Sequence, residues 1–251
     1  MARQKGIIKL KGTVGGITFY KTQDGHLARE KGGVDASRIK NDPAFQRTRE
    51  NGSEFGRAGT AGKVLRTSIR GLLLNSADNR MVSRLTQAMT RVIKADATSI
   101  RGERNVIDGE AELLQGFEFN IRGKIGTSLY APTVQTIDRV TGQIKVVIPS
   151  FIPANMIAAP TGTTHFKVIS AGSEVDFANE TYVSVNSSSA ILPWSITPTA
   201  VITQTNTVTA ASTKPLFLFL GLEFYQEVNG TMYPLKNGAF NPLAIAKVSG
   251  L

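Results

Sequence analysis

Apolar positions from residue 117 onward come in short runs separated by turn-forming residues, a pattern that predicts β-structure. The runs 133–137 and 143–148 flank the sequence DRVTG at 138–142 and are typical of a hairpin. The run LFLFLGLEFY at 216–225 begins with apolar residues at consecutive positions, as expected for a central strand covered on both faces. Prolines lie mostly between the candidate strands, which favours an antiparallel sandwich over a parallel α/β sheet. Further strands are predicted at 164–170, 181–185, 200–208, 232–235 and 243–248.

The N-terminal residues 6–31 predict a short β-meander. Ile7, Ile8 and Leu10 begin the first strand, Ile17, Phe19 and Tyr20 mark the second, and 26–29 form the return strand. Turns are predicted at Gly15-Gly16 and Asp24-Gly25. So few strands with so few apolar residues are marginally stable alone. We therefore expect this arm to dock outside its own sandwich and join subunits; the alternative is that it packs back on its own helices. The expected anchors are Ile17, Phe19 and Tyr20.

The stretch 42–74, after a predicted loop at 31–41, begins like a helix, since Asp42 can cap the first turn and Pro43 suits the first helical position. Four glycines at 52, 56, 59 and 62 oppose this, because each costs about 1 kcal/mol relative to alanine inside a helix. Two alternatives follow: one helix whose glycines admit close packing, or two helices with a kink near Asn51-Gly52. Phe45 and Phe55 in this stretch are further expected subunit contacts.

A second helix is predicted with a cap at Ser76 or Asp78, and a helical turn is predicted at 110–115. Its apolar residues recur at helical spacing: Met81, Val82, Leu85, Met89, Val92 and Ile93. The sequence thus predicts an α+β protein with an N-terminal β arm at 1–41, a basic helical region at 42–116 and a C-terminal antiparallel β-sandwich at 117–251.

The chain of 251 residues has no cysteine, which excludes disulfides and thiolate metal sites. No apolar run approaches the roughly 20 residues that a membrane helix needs, and the N-terminus lacks an apolar leader segment. We expect a cytoplasmic protein with no membrane span.

Positive charge is concentrated in the first part of the chain. The net charge is +10, with 21 Lys and Arg against 9 Asp and Glu in residues 1–104. This basic part predicts a polyanion such as nucleic acid or an acidic protein surface as partner; the alternative is a solvated basic helix face. The expected polyanion contacts are Lys63, Arg66, Arg70, Arg84 and Arg91.

Residues typical of catalysis are sparse. Only His26 and His165 supply imidazoles, and each is interpreted as a structural or surface residue. GRAGTAGK at 56–63 departs from a phosphate-binding loop in its glycine spacing, and Val64 replaces the hydroxyl that binds magnesium. The acidic group Asp108, Glu110 and Glu112 is typical of a solvated turn. We expect no enzymatic activity and no cofactor, and no small-molecule substrate is evident.

Short motifs at both ends of the chain stand out: KG at 11–12, GGITFYK at 15–21, DG at 24–25, Arg29, DPAFQRTREN at 42–51, FYQEVNG at 224–230 and YPLKNG at 233–238. In these motifs the chain resembles an uncharacterised family of small basic bacterial proteins, mainly of the Bacteroidota. The resemblance implies a non-secreted β-rich protein and supplies no catalytic residues.

The first functional hypothesis is a structural protein that assembles into a homo-oligomer, filament or shell through its N-terminal arm and helices. The second is a nucleic-acid-binding or packaging protein that uses the basic helical region.

Overall fold

The computed structural model describes residues 2–30, 32–107 and 109–250. These residues group into two compact units, Met1–Arg49 and Glu50–Leu251. The three-part division predicted from the sequence, at 41 and 116, remains a prediction about chain organisation.

In the first unit, residues 2–30 form one antiparallel sheet in the order β1-β4-β3-β2. Gly15 (φ 57°) and Gly25 (φ 111°) adopt positive φ at the turns, as predicted. The second and third strands of the predicted meander are confirmed. The strands are β1 (Ala2–Arg3), β2 (Gly12–Val14), β3 (Ile17–Thr22) and β4 (Gly25–Glu30).

Two local predictions in this unit are wrong. Residues 7–10 are not a strand, because the Gln4 side chain bonds both the N–H and the carbonyl of Leu10 and holds the segment as a loop. The expected loop after residue 31 contains helix α1 (Ala36–Asn41), because the Asp35 carboxylate accepts from the Ser37 N–H at 2.8 Å and caps it. Lys31, part of the predicted arm and loop, lies outside the described residues.

The helix predicted from residue 42 is confirmed. Asp42 accepts from the Ala44 N–H at 2.9 Å, and Pro43 opens a 3₁₀ turn that leads into α2 (Gln46–Ser68). The α2 helix runs through all four glycines, so the kinked alternative is wrong. The remaining helices are α3 (Arg70–Leu73), α4 (Met81–Ala95), α5 (Ile125–Ser128) and α6 (Pro153–Met156), with 3₁₀ turns at Pro43–Phe45, Ala111–Leu114 and Leu235–Gly238.

The predicted caps of α4 differ from the structure. Arg80 occupies the N-cap position, and Asp78 instead accepts from the Arg80 N–H at 2.7 Å just before the helix. The predicted apolar stripe on α4 is confirmed except at Val82, which is exposed.

Within residues 109–250, nine strands form two antiparallel sheets. The smaller sheet has the order β10-β6-β5, and the larger has β12-β11-β7-β8, with β13 beside β11 and β9 beside β7. The predicted hairpin at 133–148 is confirmed as β5 and β6. The strands are β5 (Val134–Asp138), β6 (Gln143–Ile148), β7 (His165–Asp176), β8 (Thr181–Ser188), β9 (Leu192–Pro193), β10 (Ile202–Thr207), β11 (Leu216–Val228), β12 (Thr231–Pro234) and β13 (Leu243–Ser249).

Strand β11 is buried on both faces, as its apolar run predicts. One face, with Phe217 and Phe219, packs with Leu65 of α2 and Met89 of α4. The opposite face packs against the smaller sheet through Leu216, Leu218, Leu220, Leu222 and Phe224. Helices, the larger sheet and the smaller sheet therefore form successive layers, and the α+β class with a C-terminal antiparallel sandwich is confirmed.

Candidate functional site

The N-terminal sheet has no buried core of its own. Among residues 2–30 and 32–49, no side chain is buried, and Ile7 and Ile8 are almost fully exposed. Val14 and Ile17 are also exposed, at 67% and 46%. Burial of an isoleucine or valine side chain stabilises a fold by about 1.5–3 kcal/mol. The exposed isoleucine and valine side chains of this sheet do not contribute that free energy.

The aromatic anchors predicted for the arm are partly covered by nearby arginines. Phe19 and Tyr20 are half-buried on β3, and the Arg29 guanidinium lies over the Tyr20 ring, 5.5 Å from its centroid. Phe45 is likewise half-buried beneath Arg38, at 5.7 Å. Ile17 is therefore the most exposed of the three predicted anchors on β3.

The outer face of α2 combines an aromatic side chain with bare backbone. Phe55 is 62% exposed, and Gly52, Gly56 and Gly59 lie three residues before, one after and four after it. A Cβ atom added at any of these three glycines would meet nothing within 4 Å, whereas one at Gly62 would lie 3.5 Å from the Leu85 side chain. Close packing predicted for the glycines thus occurs inside the fold at Gly62, and the other three form an open face.

Strand β8 is a long uncharged edge. Among the described residues it pairs with β7 alone, and Tyr182, Val183 and Val185 are exposed on it. Its sequence, TYVSVNSS, contains neither a charged residue nor a proline. Natural sheets usually protect edges with such residues, because unpaired backbone groups recruit strands from other chains.

The predicted polyanion contacts occupy different environments. Lys63, Arg70 and Arg91 are exposed, and Arg66 is half-buried. Arg84 is engaged inside the fold: it forms a short ion pair with Asp78 and donates to the Glu118 carbonyl at 2.6 Å. The structure therefore leaves the first three side chains accessible and uses Arg84 to hold α4 in place.

Residues considered for chemistry are dispersed. GRAGTAGK lies inside α2, so it forms helix and not a loop around phosphate. The His165 ring contacts Thr164 Oγ1 at 2.9 Å and Glu227 at 3.8 Å, whereas His26 lies on β4. Glu112 accepts from the Gly250 N–H at 2.6 Å, and Asp108 lies outside the described residues. Over the described ranges, no group of three acidic or histidine side chains converges as a metal site.

A polar pocket in the second unit was not predicted from the sequence. It has a volume of about 410 Å³ and lies between the segments 122–128, 158–161 and 236–240. Arg122 and Lys236 line it together with the hydroxyl-bearing residues Thr127, Ser128 and Thr161. More than 100 residues separate the two cations, so local sequence patterns carry no signal for their convergence.

No family model, curated protein or solved structure matches the chain. None of the helices within the described ranges is both long enough and apolar enough to cross a bilayer.

Proposed function

We propose that this protein is a non-enzymatic structural protein whose copies assemble through the N-terminal sheet. The observation that carries the proposal is the absence of any buried side chain among residues 2–30 and 32–49. A small sheet without an apolar core needs a surface to pack against. A neighbouring copy supplies that surface and buries Ile7, Ile8 and Ile17.

Charge favours contact between the sheet of one copy and the second unit of the next copy. Residues 1–49 carry 11 Lys and Arg against 4 Asp and Glu, a net +7. Two such sheets facing each other would repel, whereas the β8 edge has no charged residue and exposes Tyr182, Val183 and Val185. The proposed contact adds the arm to this edge. Such a heterologous contact builds a ring when the rotation closes and a filament when it does not.

The open face of α2 supplies a second contact. Phe55 projects from a helix surface on which Gly52 and Gly56 leave the backbone accessible. A glycine-lined helix face allows an element of another chain to approach closely, and an exposed aromatic residue contributes a large apolar area. This face therefore fits a packing surface between subunits.

The test compares assembly of the full-length protein with that of surface variants. The variants are I17E on the arm and V185K on the β8 edge, and V140K, in the exposed turn between β5 and β6, serves as a matched control. Mass photometry at nanomolar concentration, sedimentation at micromolar concentration and negative-stain imaging report the assembly size. We expect assemblies for the unaltered chain and V140K, and smaller species for I17E and V185K.

A monomer at every concentration would refute the proposal, as would assemblies of unchanged size in both I17E and V185K. Thermal unfolding of each variant separates loss of assembly from loss of folding. If I17E unfolds the chain, the N-terminal sheet belongs to the intramolecular core and is not a subunit connector.

The alternative proposal is nucleic-acid binding by the basic helices, supported by exposed Lys63, Arg70 and Arg91. Within the described residues, none of these three side chains takes part in an ion pair. Nuclease treatment distinguishes the two proposals, because packaging requires nucleic acid and assembly through the arm does not.

A further inference from the structure

The pocket beside Arg122 and Lys236 has features of a small-ligand site that are independent of assembly. Its volume of about 410 Å³ falls in the range of roughly 300–1,000 Å³ that is usual for such sites. Two cations and three hydroxyl-bearing residues surround the space, and no acidic residue is among its described lining residues. The charge of the pocket is therefore positive.

Buried asparagines hold the pocket segments in fixed positions. Asn120 is 2% exposed; its Nδ2 donates to the carbonyl oxygens of Ala239 (3.1 Å) and Asn241 (3.0 Å). Its Oδ1 accepts from the Arg122 N–H at 3.0 Å. One side chain thus links the segment that carries Arg122 to the segment that follows Lys236.

A second buried asparagine extends this connection. Asn241 Nδ2 donates to the Asn75 carbonyl at 3.1 Å, and its Oδ1 accepts from the N–H of Phe224, a buried residue beside the pocket. Gly123 lies so close to this segment that a Cβ would sit 2.2 Å from the Phe240 carbonyl oxygen. The pocket is therefore rigid before any ligand binds, which lowers the entropic cost of binding.

Lys236 is held in an uncommon backbone conformation. Its φ is 46°, and that of Asn237 is 51°, so two consecutive non-glycine residues adopt left-handed values. Residues held in such sparsely populated conformations cluster at ligand-binding and active sites. The Lys236 ammonium lies 5.1 Å from the Phe240 ring centroid, which places a cation beside an aromatic wall.

We infer that this pocket binds a small organic anion, with a phosphate or carboxylate group held by Arg122 and Lys236. The hydroxyl groups of Ser128 and Thr161 can donate to its oxygens, whereas the Thr127 hydroxyl already donates to the Lys124 carbonyl oxygen at 3.3 Å. Phe240 and Pro160, which are half-buried, provide an apolar surface for the remainder of the ligand. This combination of two cations, hydroxyl donors and an aromatic ring suits an aryl or alkyl phosphate or carboxylate.

Titration of the full-length protein with phenyl phosphate and with benzoate tests the inference, with phenol as the neutral control. Trp194 is the sole tryptophan, and its indole N–H donates to the Ile157 carbonyl at 3.2 Å, next to the pocket residue Ala158. Its fluorescence is followed as a spectroscopic signal, and calorimetry gives the affinity and stoichiometry. We expect one site per chain for at least one anion and none for phenol.

Variants R122Q and K236Q test whether the anion binds in the pocket. Both side chains are exposed, so the fold tolerates their neutralisation, and melting curves check this. Loss of one charged contact should weaken binding by roughly tenfold or more. K124Q removes a neighbouring exposed charge that does not line the pocket, and it should leave affinity within about twofold. Absence of binding by both anions overturns the inference, as does an equal loss in K124Q and R122Q.

Discussion

The guanidinium of Arg84 lies over the ring of Phe117, with its Cζ 5.4 Å from the ring centroid. The same group bonds the Asp78 carboxylate and the carbonyl oxygens of Glu118 and Phe119. Burial would raise the pKa of Asp78, but hydrogen bonds from the Ile121 and Arg80 N–H groups and from Arg84 hold it below its ordinary value. This arrangement ties α4 to the segment that leads into the β-sheets.

The R84A variant should be less stable than the unaltered chain by about 2–4 kcal/mol, because it leaves Asp78 and two carbonyls without their cationic partner. R91A, an exposed position on the same helix, should change the free energy of unfolding by less than about 0.5 kcal/mol. Urea unfolding followed by circular dichroism measures both. Equal stability of the two variants would contradict the structural role of Arg84.

If the basic helices bind nucleic acid, neutralising their exposed cations should weaken that binding. K63Q, R70Q and R91Q should each weaken binding to a labelled oligonucleotide at about 50 mM salt and lower the salt dependence by about one ion per removed contact. Fluorescence anisotropy at several salt concentrations gives both quantities. R84Q does not serve this purpose, since its effect on folding obscures any effect on binding. Failure of the unaltered chain to bind DNA or RNA would reject the alternative function.

Replacing Gly52 or Gly56 with alanine should affect the stability of the fold and the assembly of subunits in opposite directions. Both positions face open space in α2, so G52A and G56A should stabilise the folded chain by about 0.5–1 kcal/mol. If a neighbouring subunit packs on this face, the added methyl groups should also reduce assembly. Measuring melting temperature and assembly size on the same samples checks both effects. Stabilised variants with unchanged assembly would remove α2 from the proposed interface.

The Asp96 carboxylate should make stability depend on acid pH. Asp96 is 2% exposed at the end of α4; burial would raise its pKa, but the N–H groups of Ser99, Asn105 and Thr98 lower it well below the ordinary 3.8. Because the folded-state pKa is depressed, this stabilisation is present above about pH 4 and is lost as the pH falls below it.

D96N should be less stable by about 1–3 kcal/mol at pH 7, and its unfolding free energy should fall less steeply below about pH 4. Denaturant unfolding at several pH values compares the two chains. Parallel pH profiles would show that Asp96 does not contribute to acid sensitivity.

Gly172 tests the contact between the two sheets. A Cβ at this position of β7 would lie 2.8 Å from Asn206 Cβ on β10 and 3.1 Å from Ile144 Cβ on β6. G172A should therefore destabilise the chain by about 1–3 kcal/mol through overpacking. G126A, where an added Cβ meets nothing within 4 Å, is the matched control. A melting temperature for G172A equal to that of G126A would contradict the close packing of the sheets.

The elements that could be predicted from the sequence are those in which buried positions produce a local pattern of apolar residues. The apolar run of β11 and the alternation in β6 reflect their neighbours directly, because inward positions must be apolar. The glycines of α2 left two alternatives open, since helix propensity is a small term that tertiary packing of Leu65 and Ala61 overrides. The strand predicted from Ile7 to Leu10 is absent, and at its end the Gln4 side chain bonds the backbone N–H and carbonyl of Leu10 that a strand would pair.

The candidate sites were less predictable, because they depend on tertiary contacts that leave no local pattern in the sequence. The sequence pattern of α4 does not distinguish Arg84 from Arg91. Their surroundings do, because Arg84 bonds Asp78 and lies over Phe117, whereas Arg91 is exposed. Arg122 and Lys236 come together through the contacts of Asn120 and Asn241, which no periodicity records. Exposure of the N-terminal sheet, by contrast, follows from its small apolar content and was expected.

The burial of β11 on both faces also affects how the chain folds during synthesis on the ribosome. Leu65 of α2 and Phe217 of β11 belong to one core, although about 150 residues separate them along the chain. At synthesis rates of about 5–20 residues per second, the apolar faces of α2 and α4 wait roughly 8–30 s for that strand to be made. During this interval the apolar faces of the two helices lack the strand that covers them in the folded chain. This core therefore stays incomplete until β11 has emerged, and we expect slower translation before residue 216 to lengthen the exposure of its apolar helix faces.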